Sequence, residues 1–428
     1  MLTGSYRKRL DADLIRWVAE GLVSAESAAA IRRSLAGEGG FRLPALLGLF
    51  GGLLIAASVA AFVAANWEEI PRLLKLGMIV LAVALALGVS ARLERNGSSG
   101  GAEAAATCGV LLFGAGIALV GQMYHLPADW PGGALLVALG ALVVAFLLRS
   151  NGALAVAFAA LCAWSIGRWT EADGARHLPF LALYLPALWI ACSRTSRFVH
   201  HLAVLALLIW LGMLPGNFLF RYWDYGLLAY GLAISVASVG VAALALDRGG
   251  PAIATCFLPW GLMGLALSLS VELVRILERG MAQPGRAYLF VFAAYAVAIP
   301  VSLALAFLAR ERRFAWPAAC ALLLALLVPA VFWSGIVTGI VGKIAVAGLI
   351  LFSAIALVAA GSLGGVRRMM LAGSGLFGLA ILILLWQTIG TLLDQSLFFL
   401  VAGVLLLVMA TLFRRLFARL APPKEVAP

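Results

Sequence analysis

The stretch Lys343 to Ser362, KIAVAGLILFSAIALVAAGS, carries one charge, at its first residue, and no further charged side chain follows until Arg367. About 20 apolar residues wound as a helix cross the hydrocarbon layer of a bilayer. In lipid every backbone N–H and C=O must be bonded within its own segment, so such a run reads as a transmembrane helix. Working outward from it, thirteen more runs of the same kind appear between charges, Gly/Pro clusters and polar breaks. The full set lies at 44–65, 72–91, 103–123, 132–148, 152–167, 178–193, 198–214, 225–246, 251–270, 287–309, 314–333, 343–362, 368–388 and 395–413.

Composition agrees. Hydrophobic residues make up 64% of the 428 and charged residues 12%, with a mean hydropathy of +1.06. A soluble chain carries roughly a quarter of its residues charged, so a water-soluble domain is excluded. Lys and Arg are retained in short cytoplasmic loops. With the N-terminus inside, 22 of the 31 basic residues fall in the two tails and the even-numbered loops, and the whole net charge of +12 sits on that side. Topology therefore explains the basic pI, and no nucleic-acid partner is expected. The expected fold is an all-α polytopic transmembrane helix bundle of about 14 spans, with both termini cytoplasmic and a short N-terminal cytoplasmic helical hairpin. No cleavable signal peptide is expected, because 43 mostly polar residues precede the first run. The five cysteines stand singly in the spans, so neither disulfides nor a cysteine metal site is expected.

The chain divides into a hairpin and linker (1–43), a first four-helix unit (44–149), a middle six-helix region (150–313), a last four-helix unit (314–413) and a tail (414–428). Within the hairpin, Leu10, Leu14, Trp17 and Val18 form one stripe, a turn falls at Gly21-Leu22-Val23, and Ser24 is placed to cap a second helix. The pattern W-x-x-x-G-L-V-S-x-E resembles short oligomerisation hairpins of bacterial membrane-associated proteins. That resemblance implies self-association or a cytoplasmic protein partner; the alternative is a hairpin resting on the membrane surface.

The first and last units share landmarks in order. They are Trp67 and Trp333, Lys75 and Lys343, Leu112-Phe113-Gly114 and Leu376-Phe377-Gly378, Gln122 and Gln387, Asp129 and Asp394, and Arg149 and Arg414, at offsets of 264 to 268. A parallel duplication would produce this pattern.

No expected span has an ionisable residue near its centre. Glu103 and Lys343 stand at span ends, where long side chains snorkel to water. The polar chemistry gathers in the first two outside loops, Asn66-Trp67-Glu68-Glu69-Ile70-Pro71-Arg72 and Gln122-Met123-Tyr124-His125-Leu126-Pro127-Ala128-Asp129-Trp130-Pro131. If the first four helices pack together, Trp67, Glu68, Glu69, Gln122, Tyr124, His125, Asp129 and Trp130 converge on one extracytoplasmic mouth. Carboxylates beside a histidine suit acid and base chemistry, and Trp and Tyr faces suit sugars and cations. The competing reading is an aromatic belt with loop-capping carboxylates. The spacing matches no metal or catalytic pattern, and neither a metal nor a cofactor is expected. Trp223-Asp224-Tyr225, the segment Glu272 to Arg286, and His177 among Glu171 and Asp173 read as solvated loops.

The blocks Phe62-Val63-Ala64-Ala65-Asn66-Trp67-Glu68-Glu69-Ile70-Pro71-Arg72, Leu112-Phe113-Gly114-Ala115-Gly116 and Gln122-Met123-Tyr124-His125-Leu126 resemble a bacterial family of predicted membrane proteins catalogued as domain of unknown function 2157. The resemblance runs over roughly residues 10–170. It implies a bacterial cytoplasmic-membrane protein with a cytoplasmic hairpin in front, and it brings no assigned activity or catalytic residue. Three functions stay open: a transporter or binder of a small or amphipathic, lipid-linked ligand; a membrane-embedded transferase or hydrolase using Glu68 or Glu69, His125 and Asp129; and a non-catalytic scaffold working through the hairpin. The lipid bilayer is a partner in all three.

Overall fold

The computed structural model describes residues 13–28, 70–172, 175–215, 225–279, 288–333 and 339–387. The expected spans at 44–65 and 395–413, the residues Trp67, Glu68 and Glu69, and the tail 414–428 lie outside the described residues. Two compact units divide the chain at Leu76.

In the first unit, residues 13–19 are helical. The helix closes with the Leu22 N–H on the Trp17 carbonyl and the Gly21 N–H on the Val18 carbonyl. Gly21 has φ +71°, the left-handed conformation this type of helix stop requires. Ser24 then accepts a hydrogen bond from the Ser27 N–H at 3.1 Å and opens the next helical turn at 25–28, the capping role expected of it.

The described residues from Arg72 onward hold helices and no strand. They are α1 (Arg72–Arg95), α2 (Ser99–Met123), α3 (Trp130–Leu147), α4 (Asn151–Glu171), α5 (Pro179–Cys192), α6 (Arg197–Met213), α7 (Tyr225–Arg248), the single turn α8 (Ala252–Thr255), α9 (Phe257–Arg279), α10 (Tyr288–Leu308), α11 (Arg312–Trp333), α12 (Gly339–Leu363) and α13 (Arg367–Gln387). Among the described residues ten segments, with α8 and α9 as one, are long and apolar enough to cross a membrane, and α5 and α6 are shorter apolar helices. At 1.5 Å per residue, the 14 residues of α5 extend only about 21 Å. The expected run 251–270 differs most from what is observed. Pro259 has no N–H for the Thr255 carbonyl, which is where α8 stops, and beyond it α9 continues to Arg279.

Two cores form. One joins α2 to α6 around Leu154, Phe158, Leu161, Phe180 and Tyr184. The other joins α7 to α13 around Ala233, Val236, Leu265, Leu269, Ala318 and Ala354. The outside is the reverse of a soluble protein's: Leu81, Leu85, Phe146, Trp189, Phe292, Phe307 and Phe352 are exposed, while alanines fill the interior. Lipid is as apolar as leucine, so helices gain little by hiding large side chains and more by close approach and by hydrogen bonds between them. Such bonds recur. Ser90 Oγ donates to the Ala102 carbonyl, Tyr184 to Ala203, Tyr295 to Leu326 and Ser353 to Ala321.

Helix ends are fastened by charge. Asp247 accepts the backbone N–H groups of Arg310 and Glu311 at 2.6 and 2.8 Å, and Arg248 donates to the Leu308 carbonyl. Thus the end of α7 clasps the turn between α10 and α11, anion to helix start and cation to helix end, as the macrodipoles favour. Glu103 and Lys343 correct the snorkelling expectation. Glu103 accepts from the Ser150 hydroxyl and from the Gly152 N–H, capping α4 from a neighbouring helix. Lys343 Nζ donates to the Leu277 carbonyl at 3.0 Å.

The connections 96–98 and 364–366 are alike. Each has three residues, and the middle one is a left-handed glycine, Gly97 at φ +75° and Gly365 at φ +64°.

Candidate functional site

Of the expected mouth residues, Gln122, Tyr124, His125, Asp129 and Trp130 are described, and they lie where α2 ends and α3 begins. The α2 helix stops with the Leu126 N–H on the Gly121 carbonyl and the His125 N–H on the Gln122 carbonyl. His125 therefore occupies the left-handed stop position, at φ +52°, where glycine is usual. Holding a side chain there costs about 1 kcal/mol, and strain of this kind gathers at functional sites.

Asp129 caps α3. Its carboxylate accepts from the Gly132 N–H at 2.8 Å and from Arg168 of α4 at 2.9 Å, and Arg168 also reaches Glu171 at 2.9 Å. The Gly132 N–H first, and Arg168 second, hold the Asp129 carboxyl below the usual carboxylate range. An acid held ionised and engaged on both oxygens makes a poor proton shuttle. Trp130 lies over Gly167 of α4, where any side chain would strike its ring.

An open groove of about 960 Å³ runs between α2 and α3. Gln122, His125, Asp129 and Trp130 stand on its rim, and Gly114, Ile117, Leu136 and Val137 are among the residues that wall it. The structure thus gathers four of the five described candidates on one cavity and leaves Tyr124 off its lining. A volume near the upper end of the ligand-pocket range, apolar walls and a polar end suit a molecule with a hydrocarbon part and a polar part. Among the described residues no three His, Cys, Asp or Glu side chains come together as metal ligands would.

Residues 15–154 match the family described as Predicted membrane protein (DUF2157). The DUF2157 segment is about a third of the chain, and it contains α1, α2, α3 and the groove. No curated protein and no solved structure matches the chain.

Two expectations need correction. His177 does lie in the loop between α4 and α5, but it is half-buried and not solvated. Its ring meets Trp164 edge-on at 4.4 Å, its Nδ1 lies 3.4 Å from Ser165 Oγ, and its carbonyl accepts the Trp210 indole N–H. Partial burial, and then the Arg168 charge, lower its pKa. Glu272 is not in a loop at all. It lies within α9 and is 2% exposed. The signal for it was in the sequence: Leu262, Leu265, Leu269, Leu273 and Ile276 continue a helical stripe straight past position 270, and all five are buried.

Proposed function

We propose that this membrane protein binds and carries an amphipathic, lipid-like molecule in the groove between α2 and α3. In this reading the polar part lies against Gln122 and His125, the apolar part along the helix walls, and the arginine-rich helix ends face the cytoplasm of a bacterial cell. One observation carries it: Gln122, His125, Asp129 and Trp130 border one largely apolar groove of ligand size. The strained His125 backbone adds support.

Gly121 offers the test. It lines the groove, and a Cβ added there meets nothing within 4 Å, so Gly121→Leu is expected to occupy groove space without pushing the helices apart. Native mass spectrometry of protein extracted with its lipid is expected to show a stoichiometric adduct in wild type that Gly121→Leu loses. His125→Gly is expected to weaken the adduct while raising thermal stability by about 1 kcal/mol, since glycine relieves the left-handed strain. An adduct equally abundant in all three proteins would refute the reading.

We also propose that the hairpins α1–α2 and α12–α13 descend from one duplicated unit. Their matching three-residue turns, with left-handed glycines 268 residues apart, support it, and Lys75 and Lys343 stand at the same offset.

A further inference from the structure

The α7–α9 contact is a seam of small residues. A side chain at Gly261 would strike Ser238 and Val239, one at Gly264 would strike Ser235, and Gly231 faces the Ser268 hydroxyl. The contacts progress antiparallel along one face of α9. Glu272, one turn beyond Ser268, continues that face. It is buried to 2% exposure, and neither of its carboxylate oxygens has a hydrogen-bond partner among the described residues.

The groups that could compensate a charge there are few among the described residues. Arg275, further along α9, makes itself felt as an opposite charge but forms no ion pair with it. From α10 comes Tyr295, whose hydroxyl donates to the Leu326 carbonyl. From α12 comes Lys343, whose amine holds the Leu277 carbonyl. The α7 tyrosine Tyr230 donates to Leu211 on α6, α6 itself carries its basic residues Arg197, His200 and His201 in its first turns, and α13 carries its arginines, Arg367 and Arg368, at its opposite end. An ionised carboxylate without partners is far costlier in such surroundings than a neutral acid. Packing alone would be served by another leucine, as at Leu265, Leu269 and Leu273. What a carboxyl can do here and a leucine cannot is take up and release a proton, and ionisable side chains inside membranes commonly form proton relays.

We propose that Glu272 is a proton-binding site within the membrane, holding its proton in the packed seam and exchanging it with water at the nearby end of α9. That end, Arg279, is seven residues away, about 10 Å along the helix. The site is independent of the α2–α3 groove.

Dicyclohexylcarbodiimide, which attacks protonated carboxyls in apolar surroundings, tests it on the full chain in lipid discs. Peptide mass spectrometry is expected to find the adduct on Glu272 at about pH 6, falling about tenfold per pH unit once ionisation begins, and absent in Glu272→Gln. The neutral glutamine keeps size and shape, so its elution profile should match wild type, and the groove adduct should be untouched. Infrared spectroscopy of wild type alone supplies a second reading, a protonated-carboxyl carbonyl band that titrates with the labelling. Failure of the reagent to modify Glu272, or a carboxylate band at every pH, would overturn the proposal. A groove adduct absent from wild type, or equally abundant in Gly121→Leu, with Glu272 labelling as expected, would count against the carrier reading only.

Discussion

The two cores are filled by different means. Between α2 and α6, rings interlock: Phe180 stacks on Tyr184 at 5.2 Å and on Trp210 at 5.7 Å, and Phe158 meets Tyr184 at 6.1 Å. Between α7 and α13, alanine, glycine and serine let backbones approach, as where a Cβ on Gly373 would lie 2.8 Å from the Ala354 carbonyl oxygen. The ring-filled core needs polar handles, which Tyr184 and Trp210 find on backbone carbonyls. The small-residue core is tied by Tyr295 on Leu326 and Ser353 on Ala321, and it is the one that contains Glu272, a carboxyl without a partner among the described residues. Rings fix a bundle in one packing by their shape, whereas a seam of small side chains leaves two backbones in contact with little interlocking.

The comparison breaks most visibly at the seam. Gly261→Leu would place a Cβ 2.9 Å from the Val239 backbone N–H, so α7 and α9 must part, and no monodisperse protein is expected on size-exclusion chromatography. The same leucine at Gly121 should elute like wild type. Phe158→Ala comes next. It empties a ring that is 1% exposed and is expected to destabilise by about 3 kcal/mol, the low end for such cavities because lipid solvates the separated helix well. Thermal unfolding in detergent reads it. Smaller again is Glu103→Ala, which strips the Gly152 N–H and Ser150 of their partner and should cost about 1–2 kcal/mol. Glu103→Gln, keeping an acceptor, should restore most of it.

The smallest effect is one of pH. The folded His177 has a lowered pKa, so below the ordinary histidine value near 6.5 the unfolded chain binds the proton more readily than the folded one. Stability is then complete above that value and declines as pH falls from it toward the lowered folded pKa. His177→Gln is expected to flatten this decline in melting temperature between about pH 7 and pH 5. A wild-type melting temperature constant over that range would refute it.

Periodicity and charge made the helices legible, because a run such as 343–362 has only one way to satisfy its backbone in lipid. The groove was partly legible too. Gln122, His125, Asp129 and Trp130 were recognisable as unusual polar residues around a break, but their convergence on one cavity depends on how α2 and α3 pack, which no local pattern encodes. Asp129 caps α3 and pairs with Arg168, which fits the capping reading better than the acid–base one. Glu272 was hidden by the rule that located the spans. Ending a helix at the first charges discards the very carboxyl that packing has enclosed, and only the leucine stripe on either side reveals it. The role of Glu103 is hidden for a related reason: a carboxylate near a helix end has water as one option and a neighbouring helix start as another.

The clasp made by Asp247 and Arg248 has a consequence for how the chain is assembled. Its partners lie 60 to 64 residues later in the sequence. A chain threaded into a membrane from its N-terminus therefore delivers α7 with two opposite charges at its tip and nothing yet to match them. Only when α10 has been laid down and the chain has turned back into α11 do the awaited carbonyl and amides arrive. The hairpin made last in that region thus fastens a helix made well before it, and a stop in synthesis between the two would leave α7 unmoored.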